Sequence, residues 1–174
     1  AAGLCHSDLS IINGDRPRVM PMVLGHEAAG VVEDCGPGVT DLQRGDSVAL
    51  VFVPSCGHCA PCMEGRPALC EPGAAANGAG TLLGGGRRLH RSDGSLLNHQ
   101  VGVSCFAEYA VVSRGTLVKV DPELPADVAA VFGCAVLTGV GAVINSARIP
   151  LGATVAIIGL GGVGLAALLG AHAA

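Results

Sequence analysis

Short apolar runs alternate with turn residues over the first 150 positions of the chain, a pattern typical of β-structure. Glycine and proline residues, as in Gly36-Pro37-Gly38, separate the runs and favour tight turns. Between residues 71 and 100 no helical or strand period persists, which predicts a long loop or a weak hairpin. Strands are predicted at residues 28–35, 46–53, 107–112 and 117–121.

The pattern changes twice in the last third of the chain. From residue 127 to 147 it is helical, and from Thr154 a β-branched run, a glycine cluster and a helix-forming run follow one another. A composition shift near Pro150 predicts a boundary between a domain at residues 1–150 and a second that begins at residues 151–174. Because the chain opens without a methionine and ends within a pattern, we expect it to be an internal fragment of a longer protein.

The uncharged stretch 153–174 is long enough to cross a bilayer by length alone. Its order of β-branched residues at 154–158, glycines, and helix formers at 165–169 instead favours a strand, a turn and a buried helix. We therefore expect no membrane partner.

The composition narrows the function classes further. Half of the residues are hydrophobic, while 14% are charged and 2% aromatic, so the core must consist mainly of aliphatic side chains. The net charge of −4 and the absence of a lysine or arginine stripe argue against a nucleic-acid partner. A small molecule is the expected ligand.

Four of the eight cysteines lie close together, in the stretch SCGHCAPCMEGRPALC. Their spacing, C-x2-C-x2-C-x7-C, lets one backbone knuckle and a returning segment surround a single metal ion, which predicts a closed, structural zinc site. Disulfides, an iron–sulfur cluster and a redox pair are the alternatives, and each fits the spacing less well. The four residues are Cys56, Cys59, Cys62 and Cys70.

A second set of metal-ligating residues is spread along the chain. Cys5, His26 and Cys134 offer a thiol, an imidazole and a thiol, and three protein ligands leave one tetrahedral position to a substrate. Such a zinc can act as a Lewis acid on an alcohol or a carbonyl. Taken one by one these residues are weak signals, and we interpret Cys35 and Cys105 as small buried hydrophobic residues.

A glycine cluster follows the predicted strand at residues 154–158 and opens a predicted helix, which is the context that a G-x-G-x-x-G nucleotide-binding turn requires. In GLGGVG, Gly159 would permit the tight turn, Gly161 the approach of a pyrophosphate, and Gly164 the packing of helix on strand. The acidic residue that binds the ribose is expected about 20 residues further on, past Ala174. The choice between NAD and NADP is therefore open.

Three motifs in order give the chain its resemblance to the medium-chain zinc-dependent alcohol dehydrogenases, including the glutathione-dependent formaldehyde dehydrogenase branch. GHEAAGVV resembles the zinc signature of that family, the cysteine stretch its structural zinc loop, and IIGLGGVGL its coenzyme fingerprint. The resemblance covers essentially the whole chain. It implies a mixed α/β fold: a GroES-like β-rich catalytic domain without its opening strands, followed by the first β-turn-α of a Rossmann domain.

The resemblance also implies roles at the second metal set. Cys5, His26 and Cys134 would ligate a catalytic zinc, with Glu27 as the neighbouring carboxylate and Asp8 as the acceptor that orients the His26 imidazole.

Four further roles follow from the same resemblance. Ser7 would take the proton of the alcohol, and Phe52 would form a wall of the substrate pocket. His6 stands where many members carry an arginine for the coenzyme pyrophosphate, and Ser10 where many carry a histidine that ends the proton relay. The residues expected to contact the coenzyme are His6, Thr138, Gly159, Gly161, Gly162, Val163 and Gly164.

These features predict an oxidoreductase with two zinc ions per chain that transfers a hydride between an alcohol or aldehyde and NAD or NADP. One alternative is S-(hydroxymethyl)glutathione dehydrogenase within the same family, and another is a non-catalytic scaffold held by the cysteine lobe alone. A zinc-free quinone reductase of the same fold would lack both zinc sets. We expect a cytoplasmic homo-oligomer, and we expect these 174 residues alone to be inactive.

Overall fold

The computed structural model describes all 174 residues, and they form a mixture of helices and strands. The strands are β1 (Ala2–Gly3), β2 (Met22–Val23), β3 (Glu27–Val31), β4 (Ser47–Leu50), β5 (Leu89–His90), β6 (Leu96–His99) and β7 (Leu117–Lys119). The α-helices are α1 (His6–Ile12), α2 (Ala60–Met63), α3 (Glu71–Ala79), α4 (Ala126–Ala130), α5 (Ala135–Gly141) and α6 (Gly162–Ala173). Short 3-10 turns occur at Pro67–Leu69, Arg114–Thr116 and Val131–Gly133, and a π-helical segment at Ala142–Ala147.

Two small sheets organise the first 120 residues. One is antiparallel, with its four strands in the order β1-β3-β4-β7, and β3 pairs with β4 from Ala28 opposite Leu50 to Val31 opposite Ser47. The other has the order β2-β6-β5, with β2 parallel to β6. The larger sheet thus places the start of β3, which directly follows Gly25 and His26 of the GHE motif, next to the N-terminus of the chain.

The core lies against the larger sheet and is built from aliphatic residues, as the composition predicts. Its buried members are Ala28, Val32, Leu42, Val48, Leu50, Val103 and Cys105. Of the two cysteines left out of the metal sets, Cys105 is buried as predicted, whereas Cys35 is only partly buried against this cluster. A second small cluster joins Ala129 and Ala130 of α4 to Ala29 of β3, which fixes the helical part of the chain against the sheet.

Of the four strands predicted within the first 150 residues, three are confirmed and one is wrong. Strands β4 and β7 fall within the predicted ranges, and β3 overlaps its range but begins one residue earlier, at Glu27. Residues 107–112 form no strand. A segment becomes a strand only where another strand edge accepts its backbone hydrogen bonds, and these residues pair with no other strand.

A loop or weak hairpin is predicted for residues 71–100, and this prediction is wrong for residues 71–79, which form a helix. Helix α3 occupies Glu71–Ala79, begins with Pro72 in its first turn and ends at Gly80, whose φ is +66°. The side of α3 that packs inward carries Gly73 and Ala76, which are too small to produce an apolar period in the sequence. The later part is a hairpin, because β5 and β6 are antiparallel.

The predicted strand at residues 154–158 is not formed, since these residues pair with no other strand. The helix predicted after the glycine cluster is confirmed as α6 and packs closely on α5. No single helix of the chain has the length and apolar character needed to cross a membrane. By length and composition alone, one bent pair, Ala126–Gly133 with Ala135–Ala147, could do so.

Candidate active site and metal centres

The four cysteines of the lobe converge on one point. Their sulfur atoms all lie within 4.8 Å of one another, around α2 and the 3-10 turn that follows it. The Cys56 sulfur accepts a hydrogen bond from the Cys59 backbone N–H (3.3 Å), and the Cys70 sulfur accepts from Cys56 N–H (3.2 Å) and Gly73 N–H (3.3 Å). Backbone N–H donors stabilise negative charge on sulfur, so the arrangement suits thiolates.

The acidities of the lobe thiols differ. Backbone N–H groups of His58 and Cys59 lower the pKa of Cys56 to about 6, although desolvation opposes them. Desolvation raises the pKa of Cys62 to about 11. Of these two thiols Cys56 is the more acidic, and a bound cation would favour the thiolate form of Cys62.

The lobe fits a zinc ion by distance and by donor chemistry. Zinc–thiolate bonds are about 2.3 Å long, so sulfurs around one ion lie less than about 4.6 Å apart. The four sulfurs all lie within 4.8 Å of one another, so small shifts of the side chains would bring them around one ion. Four sulfurs complete a tetrahedral shell and leave no position for a substrate. None of the four cysteines lines the cavity of about 520 Å³ next to His26.

A second convergence unites residues that are far apart in the sequence. The ligand atoms of Cys5, His26, Glu27 and Cys134 all lie within 4.8 Å of one another. Cys5 immediately precedes α1, and Cys134 lies between the 3-10 turn and α5. His26 immediately precedes β3, and Glu27 is the first residue of that strand. His26 and Glu27 are buried, at 4% exposure each, whereas the two cysteines are half-buried. Two sulfurs, an imidazole and a carboxylate at this spacing fit zinc as well.

A buried hydrogen-bond network orients the His26 ring. Its Nδ1 lies 2.9 Å from Asp8 Oδ1, which leaves Nε2 as the ring nitrogen available to a metal ion. Asp8 Oδ2 accepts the Cys5 backbone N–H at 3.1 Å, so one carboxylate positions both a cysteine and a histidine of the cluster. Asp8 is 3% exposed. This is the relation of Asp8 to His26 that the resemblance implies.

Gln100 completes the network, and the sequence analysis missed it. Its Nε2 donates to Asp8 Oδ1 at 2.8 Å, and its Oε1 accepts the backbone N–H of Gly25, the residue before His26. Gly25 has a φ of +101°, and a Cβ there would lie 2.6 Å from the Phe106 nitrogen. The sequence around Gln100 carries no local signal for this role, since Gln100 follows β6 and meets Asp8 only through the fold.

Substituting Gln100 with leucine is expected to lower the free energy of unfolding by about 1–3 kcal/mol, because the buried Gly25 N–H and one Asp8 contact lose their partner. Chemical denaturation of the whole protein measures this effect. The matched control is Gln43→Leu, which changes an exposed glutamine and is expected to alter stability by less than about 0.5 kcal/mol. Equal losses in both variants would contradict the role given to Gln100.

Gly133 brings Cys134 into the cluster by a close backbone approach. A Cβ at Gly133 would overlap the carbonyl oxygen of Leu50 in β4, so this position tolerates no side chain. Burial is the main cause that raises the pKa of the Cys134 thiol, and the adjacent Glu27 carboxylate raises it further. Without a cation the thiol is therefore neutral, and a metal ion is what would convert it to a thiolate.

Gly133→Ala is expected to destabilise the fold by about 1–3 kcal/mol through overpacking against β4. The control is Gly141→Ala, near the end of α5, where the nearest atom to the added carbon is Asn145 Nδ2 at 3.8 Å. That change is expected to stabilise by about 0.5–1 kcal/mol, because alanine favours a helix over glycine. Thermal unfolding of both variants decides the prediction, which fails if Gly133→Ala is neutral.

A cavity of about 520 Å³ opens above the second cluster. It is lined by Cys5, Ser7, Ile11, Arg16, Arg18, His26, Phe52, Val53, Ala74, Asn77, Gly78, Gln100, Val101, Cys134, Thr138 and Val163. The Phe52 ring meets the His26 ring edge to face, with centroids 5.9 Å apart, and the Ser7 hydroxyl lies 3.5 Å from the Cys5 sulfur. The volume is typical of small-molecule sites.

Of the residues predicted to contact the coenzyme, Thr138 and Val163 line this cavity and the others do not. His6 is exposed, and its carbonyl accepts the Ser10 hydroxyl at 3.1 Å. Of the glycine turn only Val163 lines the cavity. Gly159 has a φ of +93°, and a Cβ at Gly164 would overlap the Gly159 carbonyl oxygen. The absence of a side chain at Gly164 therefore allows the two ends of the turn to pack together. The turn residues that do not line the cavity are Gly159, Gly161, Gly162 and Gly164.

Known proteins resemble this chain in both sequence and structure. The family model described as the alcohol dehydrogenase GroES-like domain matches residues 1–122. Alcohol dehydrogenase B of Mycobacterium tuberculosis is 43% identical over 175 aligned residues, which cover 100% of this chain and 46% of that protein. S-(hydroxymethyl)glutathione dehydrogenase of Synechocystis is 42% identical over 173 residues, 99% of this chain and 47% of that protein.

Comparison with a solved structure shows that the fold is also shared with this family. The alcohol dehydrogenase zinc-binding domain protein of Burkholderia ambifaria superposes with a TM-score of 0.92 at 40% identity, over 99% of this chain and 47% of that one. The chain therefore belongs to the family of alcohol dehydrogenases with a GroES-like domain. It spans about half the length of the curated relatives that it matches.

Proposed function

We propose that the whole protein is a zinc-dependent oxidoreductase that transfers a hydride between an alcohol or aldehyde and a nicotinamide coenzyme. The observation that carries the proposal is the cluster of Cys5, His26 and Cys134 at the wall of a cavity of small-molecule size. Membership in the family supports it, because the relatives named above are dehydrogenases.

In this proposal Cys5, His26 and Cys134 hold a zinc ion, with Glu27 beside them as a fourth, exchangeable carboxylate. Zinc bound there would supply a Lewis acid next to the cavity. Asp8 keeps the His26 ring in one tautomer and orientation through its bond to Nδ1. Phe52 excludes water from one side of the ring, which strengthens the charges inside the site.

Ser7 is the proposed proton carrier between substrate and solvent. Its hydroxyl both lines the cavity and contacts the Cys5 sulfur, so it lies within reach of a substrate oxygen at the cluster. The Ser10 hydroxyl donates to the His6 carbonyl of α1 and does not line the cavity. A proton that leaves Ser7 therefore passes to water or to the coenzyme rather than to Ser10.

The proposed coenzyme position is next to α5 and α6. Thr138 and Val163 line the cavity from these two helices and would face the nicotinamide. The turn at 159–164 precedes α6, whose first backbone N–H groups suit a pyrophosphate. NAD and NADP both remain compatible with this position.

The cysteine lobe has a different proposed role, which is to hold a second zinc that stabilises the fold. It is closed by four sulfurs and stands apart from the cavity. Oxidation of S-(hydroxymethyl)glutathione is the second candidate function, and the similarity to the Synechocystis enzyme of that name supports it.

Zinc content and coenzyme-linked turnover of the whole protein test the proposal together. Elemental analysis is expected to give two zinc ions per chain, and mixing with alcohols and NAD or NADP is expected to produce absorbance of the reduced coenzyme. One zinc per chain with no coenzyme binding would overturn the proposal in favour of a scaffold. Comparing simple alcohols with S-(hydroxymethyl)glutathione distinguishes the two dehydrogenase candidates.

A further inference from the structure

The buried amide of Gln100 holds both sides of His26. Its Oε1 accepts the backbone N–H of Gly25, the residue before His26, and its Nε2 donates to Asp8 Oδ1 at 2.8 Å. These partners assign the two ends of the amide, because a backbone N–H can only donate and a carboxylate accepts. Gln100 is 2% exposed. A single side chain therefore fixes both the backbone that carries the imidazole and the carboxylate that orients its ring.

Substrate binding is not the role that this placement favours. Gln100 lines the cavity of about 520 Å³, but it is almost fully buried, and the oxygen and the nitrogen of its amide both have partners in the protein. A residue that recognises a substrate keeps a donor or an acceptor free toward the cavity. The hydrogen bonds of Gln100 lead instead to the metal cluster, through Asp8.

The negative charge of Asp8 depends on neutral donors. Its Oδ1 lies 2.9 Å from His26 Nδ1 and accepts from Gln100, while its Oδ2 accepts the Cys5 N–H at 3.1 Å. The residue is 3% exposed, and no lysine or arginine forms an ion pair with it. A buried carboxylate that loses a donor is less well stabilised. Since Oδ1 serves Gln100 and His26 together, loss of the amide also changes how firmly the imidazole is held.

The backbone that places Gln100 is strained, and buried contacts hold it in this form. Val101 and Ser104 have φ values of +44° and +50°, in the left-handed region that a β-branched residue such as valine rarely adopts. The Gln100 N–H donates to the Ser104 hydroxyl at 2.8 Å, and that hydroxyl donates to the Val23 carbonyl at 2.9 Å. Backbone strain persists where surrounding contacts enforce it, and it is concentrated at functional sites. The turn thus keeps Gln100 in register with Asp8.

We propose that Gln100 is a positioning residue of the second metal cluster, because it fixes Asp8 against His26 and so determines how tightly the cluster holds zinc. This inference rests on the proposed function, in which Cys5, His26 and Cys134 hold the ion. Loss of a residue that orients a metal ligand weakens metal binding about 10–100-fold. Gln100 acts one contact further out, through Asp8, so the expected effect lies at the lower end of that range.

The test measures the zinc affinity of each cluster in the whole protein by competition with a chromophoric chelator. Gln100→Met keeps the length of the side chain and removes both hydrogen bonds. In this variant the dissociation constant of the second metal cluster is expected to rise about ten-fold, while that of the cysteine lobe keeps its wild-type value. The visible absorption of Co²⁺ bound at the second metal cluster is expected to shift, because it reports the geometry of the ligands. Gln43→Met, at an exposed position, is the matched control and keeps both affinities.

A double-mutant cycle with Asp8→Asn separates positioning from a general structural role. If Gln100 acts through Asp8, then Gln100→Met is expected to weaken zinc binding less than about two-fold once Asp8 is replaced. A structural role through Gly25 alone predicts the same loss in both backgrounds, and that result overturns the inference. Gln100→Asn, whose amide is too short to span both partners, is a second variant with the same expected effect, which matters if Gln100→Met folds poorly.

The wild-type protein separates this inference from the proposed function. Zinc affinities that are unchanged in both Gln100→Met and Gln100→Asn overturn the inference, while two zinc ions and coenzyme-linked turnover in the wild type leave the dehydrogenase standing. If the wild-type protein binds zinc only in the lobe, the proposed function itself fails, and the role of Gln100 toward the metal fails with it.

Discussion

Replacing His26 with alanine in the whole protein is expected to remove one of two zinc ions and to lower kcat/KM for an alcohol at least about 10³-fold. The imidazole is one of three ligands from the chain to the proposed catalytic ion, and its loss also leaves the buried Asp8 carboxylate without its partner. Elemental analysis and the rate of coenzyme reduction measure the two effects. The matched control is His90→Ala, an exposed histidine in β5, which is expected to keep both zinc ions and full activity.

Cys134→Ala provides a second variant at the same centre, which matters if His26→Ala folds poorly. Cys134 is half-buried and belongs to a different part of the chain, so the two changes disturb the fold differently. Both are expected to lose the same zinc and to retain the other. Turnover that survives in Cys134→Ala would show that the assigned centre does not carry the chemistry.

Cys70→Ser is expected to have the largest effect on stability, a loss of at least about 3 kcal/mol, because structural zinc contributes its binding free energy to folding. Cys70 is fully buried, and its sulfur accepts two backbone hydrogen bonds, from Cys56 at the start of the lobe and from Gly73 in α3. Thermal unfolding with and without a chelator measures the loss. In the variant the chelator is expected to have a much smaller effect.

Cys35→Ser is the control for the lobe, because Cys35 lies outside both metal clusters and contacts the Leu42 carbonyl at 3.5 Å. It is expected to keep two zinc ions and to lose little stability. The zinc lost in Cys70→Ser must differ from the one lost in His26→Ala, so a double variant is expected to contain none. If Cys70→Ser retained both zinc ions and the wild-type melting temperature, the lobe would not be a zinc site.

Short spacings between potential ligands allow candidate metal-binding residues to be identified from the sequence. The lobe needs only 15 residues, from Cys56 to Cys70, and the GHE motif only three. Donor chemistry suggests Cys5, His26 and Cys134 as a set, but only the resemblance assigns them to one zinc ion, because spacing says nothing about residues more than 100 positions apart. Gln100 had no such guide, and only the fold brings it to Asp8 and Gly25.

The errors in the fold prediction have a common physical basis. A strand depends on a partner as well as on its own pattern, and residues 107–112 and 154–158 have the pattern without the partner. Helix α3 shows the opposite case, because its inward side is formed by Gly73 and Ala76, which pack by being small. Periodicity of hydrophobic residues detects neither situation.

The segment between Cys70 and Gln100 is anchored at both ends by the two metal clusters, and α3 within it lines the cavity through Ala74, Asn77 and Gly78. The segment is also held from within, since Gly73 N–H donates to the Cys70 sulfur and β6 pairs with β2. A change in α3 that reshapes the cavity wall is therefore transmitted to the lobe as well, so the size of the cavity and the geometry of the four sulfurs vary together.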